Sequence, residues 1–205
     1  MKLAIFGASG ATGRLLVQQA LAAGHDVTVL LRSAGSLSLD SVRLQRIVGQ
    51  LDQPDAIAAV VQGADAVISV LGIRKGGAQT VCTDGIRSIL QAMQHTGTQR
   101  LIALSAYGAS ETQHDSWFIR LVRKIIREKM RDKDGMENLV RASTTDWTLV
   151  RPPALTNGAA MDDYRASTSL KPGVAGRLSR ADLAGFMLSV AESGDYLHQA
   201  PVVSL

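Results

Sequence analysis

Thiols are almost missing from this sequence. Cys82 is the sole cysteine in 205 residues, which excludes a disulfide framework and fits a reducing compartment. Long apolar runs are missing too. The opening run Lys2-Leu3-Ala4-Ile5-Phe6 breaks at Gly7. It is too short for a signal-peptide core of about 7–15 residues or a span of about 20. The expectation is a soluble, cytoplasmic protein with no membrane partner. Histidine is sparse and scattered at His25, His95, His114 and His198, without the H-x-x-x-H spacing of a zinc helix, so no metal is expected. No repeat and no low-complexity tract appears. What is present is a hydrophobic fraction of 46% with a net charge of only +4, a balance that excludes disorder. At about 150 residues per domain, one domain is favoured. It should bury about 70% of its unfolded surface.

Strand-like and helix-like segments alternate along the chain. Lys2–Phe6 is a short apolar run that ends at glycines, as in a strand buried on both faces. Leu15, Leu16, Ala20 and Ala23 form a helical stripe closed by Gly24. Asp26–Leu31 is a second strand, and Val42–Val48 a weaker third. Asp52 can cap a helix that starts with Pro54 and Asp55 and ends near Gly63. Asp65–Leu71, a helix over Gln79–His95 closed by Gly97, and Gln99–Leu104 follow. Ser116–Ala142 reads as one long helical stretch broken near Gly135. Trp147–Val150 is a strand halted by Pro152-Pro153. Ser179 and Asp182 match a capping pattern before Leu183 and Phe186. Pro201–Leu205 is a possible last strand. This alternation predicts an α/β, Rossmann-like, doubly wound parallel sheet. Residues 154–178 show no clear element and are read as a small C-terminal cover over the site.

The chemistry starts at Gly7, Gly10 and Gly13, a G-x-x-G-x-x-G turn between the first strand and the first helix. Side-chain-free backbone there would admit a pyrophosphate, and the helix start offers unpaired N–H groups with partial positive charge. Ser9, Ala11 and Thr12 complete the loop. A tight turn with no ligand is the competing reading. An NAD-preferring site usually places an acid about 20 residues on, at the end of the second strand. Leu30–Ala34 contains none. The strand ends instead in Arg32 and Ser33, a guanidinium fork and a hydroxyl suited to a 2′-phosphate. The expected cofactor is therefore NADP(H). Arg14 is either a second phosphate ligand or an exposed helix arginine.

These residues resemble a known family. Ile5-Phe6-Gly7-Ala8-Ser9-Gly10-Ala11-Thr12-Gly13, Val29-Leu30-Leu31-Arg32, Asp65-Ala66-Val67-Ile68, Leu71-Gly72-Ile73-Arg74, Ser105-Ala106-Tyr107, Asp146 to Pro153 and Ser179 to Ala184 are similar to atypical short-chain dehydrogenase/reductases. The group most resembled is that of biliverdin-IXβ and flavin reductases. NmrA-like and sugar-nucleotide-modifying relatives share the cofactor half. The resemblance implies that Leu71 and Gly72 line the ribose side, that Ser105 sits by the nicotinamide, and that Pro152 and Pro153 present backbone to the carboxamide. Lys133-Asp134-Gly135-Met136-Glu137 resembles the family's K-x-x-x-E stretch. Lys129 stands where many short-chain reductases carry a proton-donating tyrosine. Gln50 stands where many relatives carry an adenine-contacting Asp.

Without that acid, ordinary ketone reduction is disfavoured, because an alkoxide needs a nearby proton. A flavin, quinone or tetrapyrrole spreads the incoming charge and can be protonated later from water, provided the protein positions it. Ser105 and Tyr107 are the candidate catalytic hydroxyls, although a strand-end hydrogen bond and a loop tyrosine are the plain alternatives. Arg74 is a candidate contact for an acidic acceptor or cofactor, or an exposed loop arginine. Asp115–Lys133 holds seven cations against three acids, the whole excess of +4. Its apolar residues recur at helical spacing, so the charges fall on a solvated face. Steering of anions comes next, and nucleic-acid binding is not expected. The leading expectation is an NADPH-dependent reductase of a small conjugated acceptor, working as monomer or homodimer. One alternative is an NmrA-like redox sensor with a partner surface near Ser116–Met130. A third is a sugar-nucleotide epimerase or dehydratase.

Overall fold

The computed structural model describes residues 1–73 and 77–205. Six strands, β1 (Lys2–Phe6), β2 (Asp26–Leu31), β3 (Leu44–Val48), β4 (Ala66–Ser69), β5 (Arg100–Leu104) and β6 (Asp146–Val150), form one sheet in the order β3-β2-β1-β4-β5-β6. Every pairing is parallel, with Ile5 beside Val29 on one side and Ile68 on the other. Among the described residues, six α-helices accompany the sheet: α1 (Ala11–Ala22), α2 (Pro54–Val61), α3 (Val81–Thr96), α4 (Trp117–Ile125), α5 (Arg127–Arg141) and α6 (Arg180–Ser193). This is the Rossmann-like single-domain architecture that the β-α alternation predicts.

The two-residue period of a strand divides the core. Leu3, Ile5, Val27, Val29, Ile68 and Ile102 point to the face covered by α1 and α6. Ala4, Phe6, Val67, Leu101 and Leu149 point to the face covered by α2, α3 and α5. Both faces are buried, which is why these strands read as unbroken apolar runs. The strand order reverses between β1 and β4, the point where open α/β sheets leave a crevice at their carboxyl ends.

Several local expectations are corrected. The helical stretch after Ser116 breaks at Ile126, with φ −108° and ψ 38°. It does not break at Gly135, which lies inside α5 where a Cβ would stand 2.7 Å from Thr83 Oγ1 of α3. Gln53, not Asp52, is the cap residue of α2, with Pro54 opening the helix. The third strand begins at Leu44, two residues later than expected. Residues 154–178 are not without structure. They hold β7 (Ala154–Thr156), β8 (Arg165–Ser167) and the start of β9 (Arg177–Ser179). β7 pairs with β9, and β8 pairs antiparallel with the chain's last strand, β10 (Val202–Ser204). Such three-residue strands are too short to carry a visible alternation. The Ser179 cap is present: its Oγ accepts from the Asp182 N–H, and Asp182 Oδ1 accepts the backbone N–H groups of Met161 and Asp162. The Ser179 hydroxyl thus caps α6, and the Asp182 carboxylate, which also accepts from that hydroxyl, ties the 154–178 segment to the helix.

The glycine turn is the tightest place in the fold. A Cβ on Gly13 would lie 2.2 Å from the carbonyl oxygen of Gly7, and one on Gly7 would lie 2.8 Å from that of Val70. Backbone cannot yield as a side chain does. Gly13→Ala is therefore expected to cost about 3 kcal/mol or more. Gly35→Ala, where a Cβ meets nothing within 4 Å, should stay within about 0.5 kcal/mol. Urea unfolding of the two variants checks this; equal stabilities would contradict the close approach.

Candidate functional site

A cleft of about 910 Å³ opens along the carboxyl edge of the sheet, within the range of small-ligand and cofactor sites. Its floor is the glycine turn, with Gly7, Ser9, Gly10, Ala11, Thr12 and Gly13 all lining it. Gly10 is the cap residue of α1, with no side chain capping the helix and no acid in the first turn. The amide end of α1 is thus turned to the cleft with its partial positive charge uncompensated. At Gly7 and Gly13 a Cβ would also strike the protein's own backbone, so close packing alone already requires two of the three glycines.

At one end of the cleft stand Arg32 and the Gly49–Asp52 turn; at the other stand Leu104, Ser105 and Lys133. Arg32 is exposed and, among the described residues, makes no hydrogen bond or ion pair. Arg14 is already engaged, donating to the carbonyls of Ser9 and Ser36 at 3.2 and 3.1 Å. It braces the glycine turn against the segment after β2. Leu71 and Gly72 line the middle of the cleft. Ser33 does not line it; its carbonyl accepts from the N–H and hydroxyl of Ser36. Arg74 lies outside the described residues.

Ser105 follows β5 and is buried, yet it reaches the cleft. Its hydroxyl donates to Glu137 Oε1 at 2.5 Å. Glu137 is fully buried and also accepts two hydrogen bonds from Arg151, which in turn holds both carboxylate oxygens of Glu111 at 2.8 Å. Arg141 completes a neutral set of two guanidinium and two carboxylate groups, 3.0 Å from Glu111 and 3.8 Å from Glu137. Burial alone would lower the Arg151 pKa; the hydrogen bonds from Arg151 to both carboxylates outweigh it and raise it. The Arg151 hydrogen bonds hold Glu111 down at about 2, against desolvation that pulls the other way.

Lys133 sits one helical turn before Glu137. Its Nζ donates to the carbonyls of Leu71 and Leu104, bridging the ends of β4 and β5. Asp132 beside it accepts from the backbone N–H groups of Cys82 and Thr83. A carboxylate of α5 thus supplies the N-terminal cap that the α3 sequence lacks. Burial pushes the Cys82 thiol up to about 11, so it stays protonated and unreactive.

Tyr107, Pro152 and Pro153 do not line the cleft. The Tyr107 hydroxyl donates to Asp115 at 2.9 Å. Burial, then that carboxylate, raises its pKa to about 12. Pro152 is buried, its carbonyl accepting the Tyr107 N–H at 2.9 Å, and Pro153 lies beside Gly176. Sequence reasoning missed Arg180, which lines the cleft and donates to Asn157 at 2.6 Å. It also passed over Arg151 and Glu111. The signal for Arg151 was a charge directly after the apolar strand Trp147–Val150, where a buried cation requires a buried partner.

A family model described as NAD(P)H-binding matches residues 7–193. The chain belongs to this NAD(P)H-binding family. Among curated relatives, it is 26% identical over 199 residues to the UPF0659 protein YMR090W of Saccharomyces cerevisiae, covering 92% of this chain and 86% of that protein. Among solved structures, the anaerobilin reductase ChuY of Escherichia coli O157:H7 superposes with a TM-score of 0.87 at 22% identity, covering 99% and 96% of the two chains. A short-chain dehydrogenase/reductase of Veillonella parvula, solved with NADP, superposes at 0.81 with 18% identity, covering 100% and 94%. At these identities the solved structures establish the shared fold. Within the family, the uncapped start of α1 and the glycine turn are the elements that fit a dinucleotide pyrophosphate.

The buried charge set predicts two behaviours. Arg151→Met should cost about 3–5 kcal/mol in urea unfolding, because it removes both guanidinium hydrogen bonds to the buried Glu137 and leaves it only the ion pair with Arg141 at 3.8 Å. Glu111 has a folded pKa of about 2, below its ordinary 4.5. Its stabilisation is full above about pH 4.5 and is lost as pH falls from there toward 2. Acid titration of stability should show that loss in the native chain and a smaller one in Glu111→Gln.

Proposed function

We propose that this protein is an NADPH-dependent reductase that passes a hydride to a conjugated acceptor: a flavin, a quinone or a biliverdin-like tetrapyrrole. The observation that carries the reading is the cleft's lack of a proton-donating tyrosine. Among the described residues no tyrosine and no histidine lines it. Tyr107, the nearest in sequence to Ser105, has its hydroxyl committed to Asp115 and its pKa raised to about 12. Ser105 points its proton at Glu137. An acceptor that delocalises the incoming charge needs no acid at the moment of transfer and takes its proton later from water. The ChuY likeness, to a protein described as a reductase, is in keeping with this.

When bound, NADPH supplies the hydride from its nicotinamide ring. The residues of this chain do the holding. The amide end of α1 takes the pyrophosphate, and Arg32 takes the 2′-phosphate with a guanidinium that no other described group occupies. Leu71 and Gly72 cover the middle of the cofactor. Because the Ser105 O–H donates to Glu137, its oxygen faces the cleft with lone pairs, able to accept an N–H from the nicotinamide amide or the acceptor. Lys133 and Glu137 hold the β4 and β5 ends and Ser105 in place, so the site is set before ligands arrive.

Arg32→Ala should raise the Kd for NADPH about 10- to 100-fold, the worth of a charge-assisted contact. The Kd for NADH should move less than about twofold. Fluorescence titration measures both, and equal losses would remove the 2′-phosphate role. Turnover of NADPH with a panel of flavins, quinones and biliverdin tests the reaction itself. NADPH binding with no turnover against any of them would favour the cofactor-sensor alternative.

A further inference from the structure

α4 leaves most of its apolar surface uncovered. Trp117, Leu121 and Ile125 are 72%, 47% and 73% exposed. Spaced by four residues, they fall on one strip of the helix. Among the apolar residues of α4, Ile119 alone is buried. Arg120 and Lys124 border the strip on one side. The chain then turns at Ile126 into the start of α5, where Arg127, Lys129 and Arg131 are also exposed. A second hollow of about 430 Å³ lies at this turn, lined by Arg120, Arg123, Lys124, Arg127, Met130, Arg131 and Asp134. Its one carboxylate is taken: Asp134 accepts from Arg123 at 2.6 Å and from the Ser110 N–H at 2.8 Å. Among the described residues, Arg120, Lys124, Arg127 and Arg131 have no hydrogen-bonded or ion-paired side-chain partner. Four uncompensated cations around one hollow repel one another, and an anion relieves that cost.

We infer that α4 and the start of α5 form a docking face for an anionic phospholipid surface. The Trp117-Leu121-Ile125 strip enters the interface, and the cationic hollow beside it takes lipid phosphates. The pairing of an apolar strip that includes a tryptophan with a lysine- and arginine-rich flank is the composition of helices that lie in a bilayer surface. Two other occupants fit less well. A second copy packed about a two-fold axis would set the same cations against each other. Nucleic acid would leave the apolar strip without a partner. The sequence expectation of no membrane partner rested on spanning length. No described helix is long and apolar enough to cross a membrane, but lying on a surface requires only one amphipathic face.

Trp117 provides the readout. Trp147 is only 5% exposed, so a fluorescence change on binding reports Trp117. The full chain is mixed with vesicles of phosphatidylcholine alone and of phosphatidylcholine with phosphatidylglycerol, then followed by flotation and tryptophan emission. We expect flotation and a blue shift with the anionic vesicles only, both weakened by salt. Arg127→Ala with Arg131→Ala should weaken binding about 30-fold, at roughly 1 kcal/mol per cation. Leu121→Asp with Ile125→Asp should abolish it. Trp117→Phe should float without the shift. These exposed substitutions should leave the thermal midpoint and NADPH affinity as in the native chain, which separates this test from that of the reductase reading. Absence of flotation, equal flotation with neutral vesicles, or a native mass showing a dimer that Leu121→Asp dissolves would overturn the inference.

Discussion

The carbonyl of Gly7 lies where a Cβ on Gly13 would have to sit, and nearly everything at the carboxyl edge follows from that approach. With no side chain at either position, the first turn of α1 can rest directly on the loop that leaves β1. Gly7 in turn rests on the carbonyl of Val70 as the chain leaves β4. The three segments meet where the strand order reverses. The start of α1 is left facing a cleft, without a capping side chain and with its partial charge directed outward. Moving α1 outward to make room for a methyl group would both open the core on the α1 and α6 face and turn the amides away from the cleft.

The far end of the cleft is organised by charge instead of close packing. Glu137 is fully buried and would be untenable alone. It is held by Arg151, which reaches it from the end of β6 and also holds Glu111, while Ser105 donates to it from the end of β5. Two strand ends and two helical segments are thereby fixed to one carboxylate. Such a set contributes little net stability compared with a well-packed apolar equivalent, but it is costly to leave half-made. Its effect on the site is orientation: the Ser105 oxygen can face the cleft in one way only. Lys133, one turn earlier on the same helix, ties together the carbonyls of Leu71 and Leu104.

The positive charge of the chain is kept apart from this neutral arrangement. Among the described residues lining the cleft, the cations other than Arg32 are engaged: Arg87 with Asp84, Arg180 with Asn157, Lys133 with carbonyls. Four cations without a described side-chain partner, Arg120, Lys124, Arg127 and Arg131, gather instead at the α4–α5 turn beside exposed apolar side chains. One surface suits a bound nucleotide and the other an extended anionic partner, so the two can be altered separately.

The α/β class, the six parallel strands and the glycine turn were legible in the sequence, because each is written in neighbours: two-residue and helical periodicity, glycines at turns, a serine before an acid at the start of α6. The cleft residues in that turn and Arg32 could be named for the same reason, whereas Leu71, Gly72 and Ser105 were named through the family resemblance; the structure brings all of them to the cleft because parallel strands present their carboxyl ends at one edge. Local signals failed where distant parts of the chain decide. Asp132 caps α3 from 50 residues away, which no pattern around Thr80 announces. Arg151 finds Glu111 across 40 residues and Glu137 across 14. Tyr107 reads as a cleft residue until Asp115 takes its hydroxyl. Periodicity states which way a side chain points along its own element, whereas the partner of a buried charge is set by which elements pack side by side, and only the assembled fold settles that.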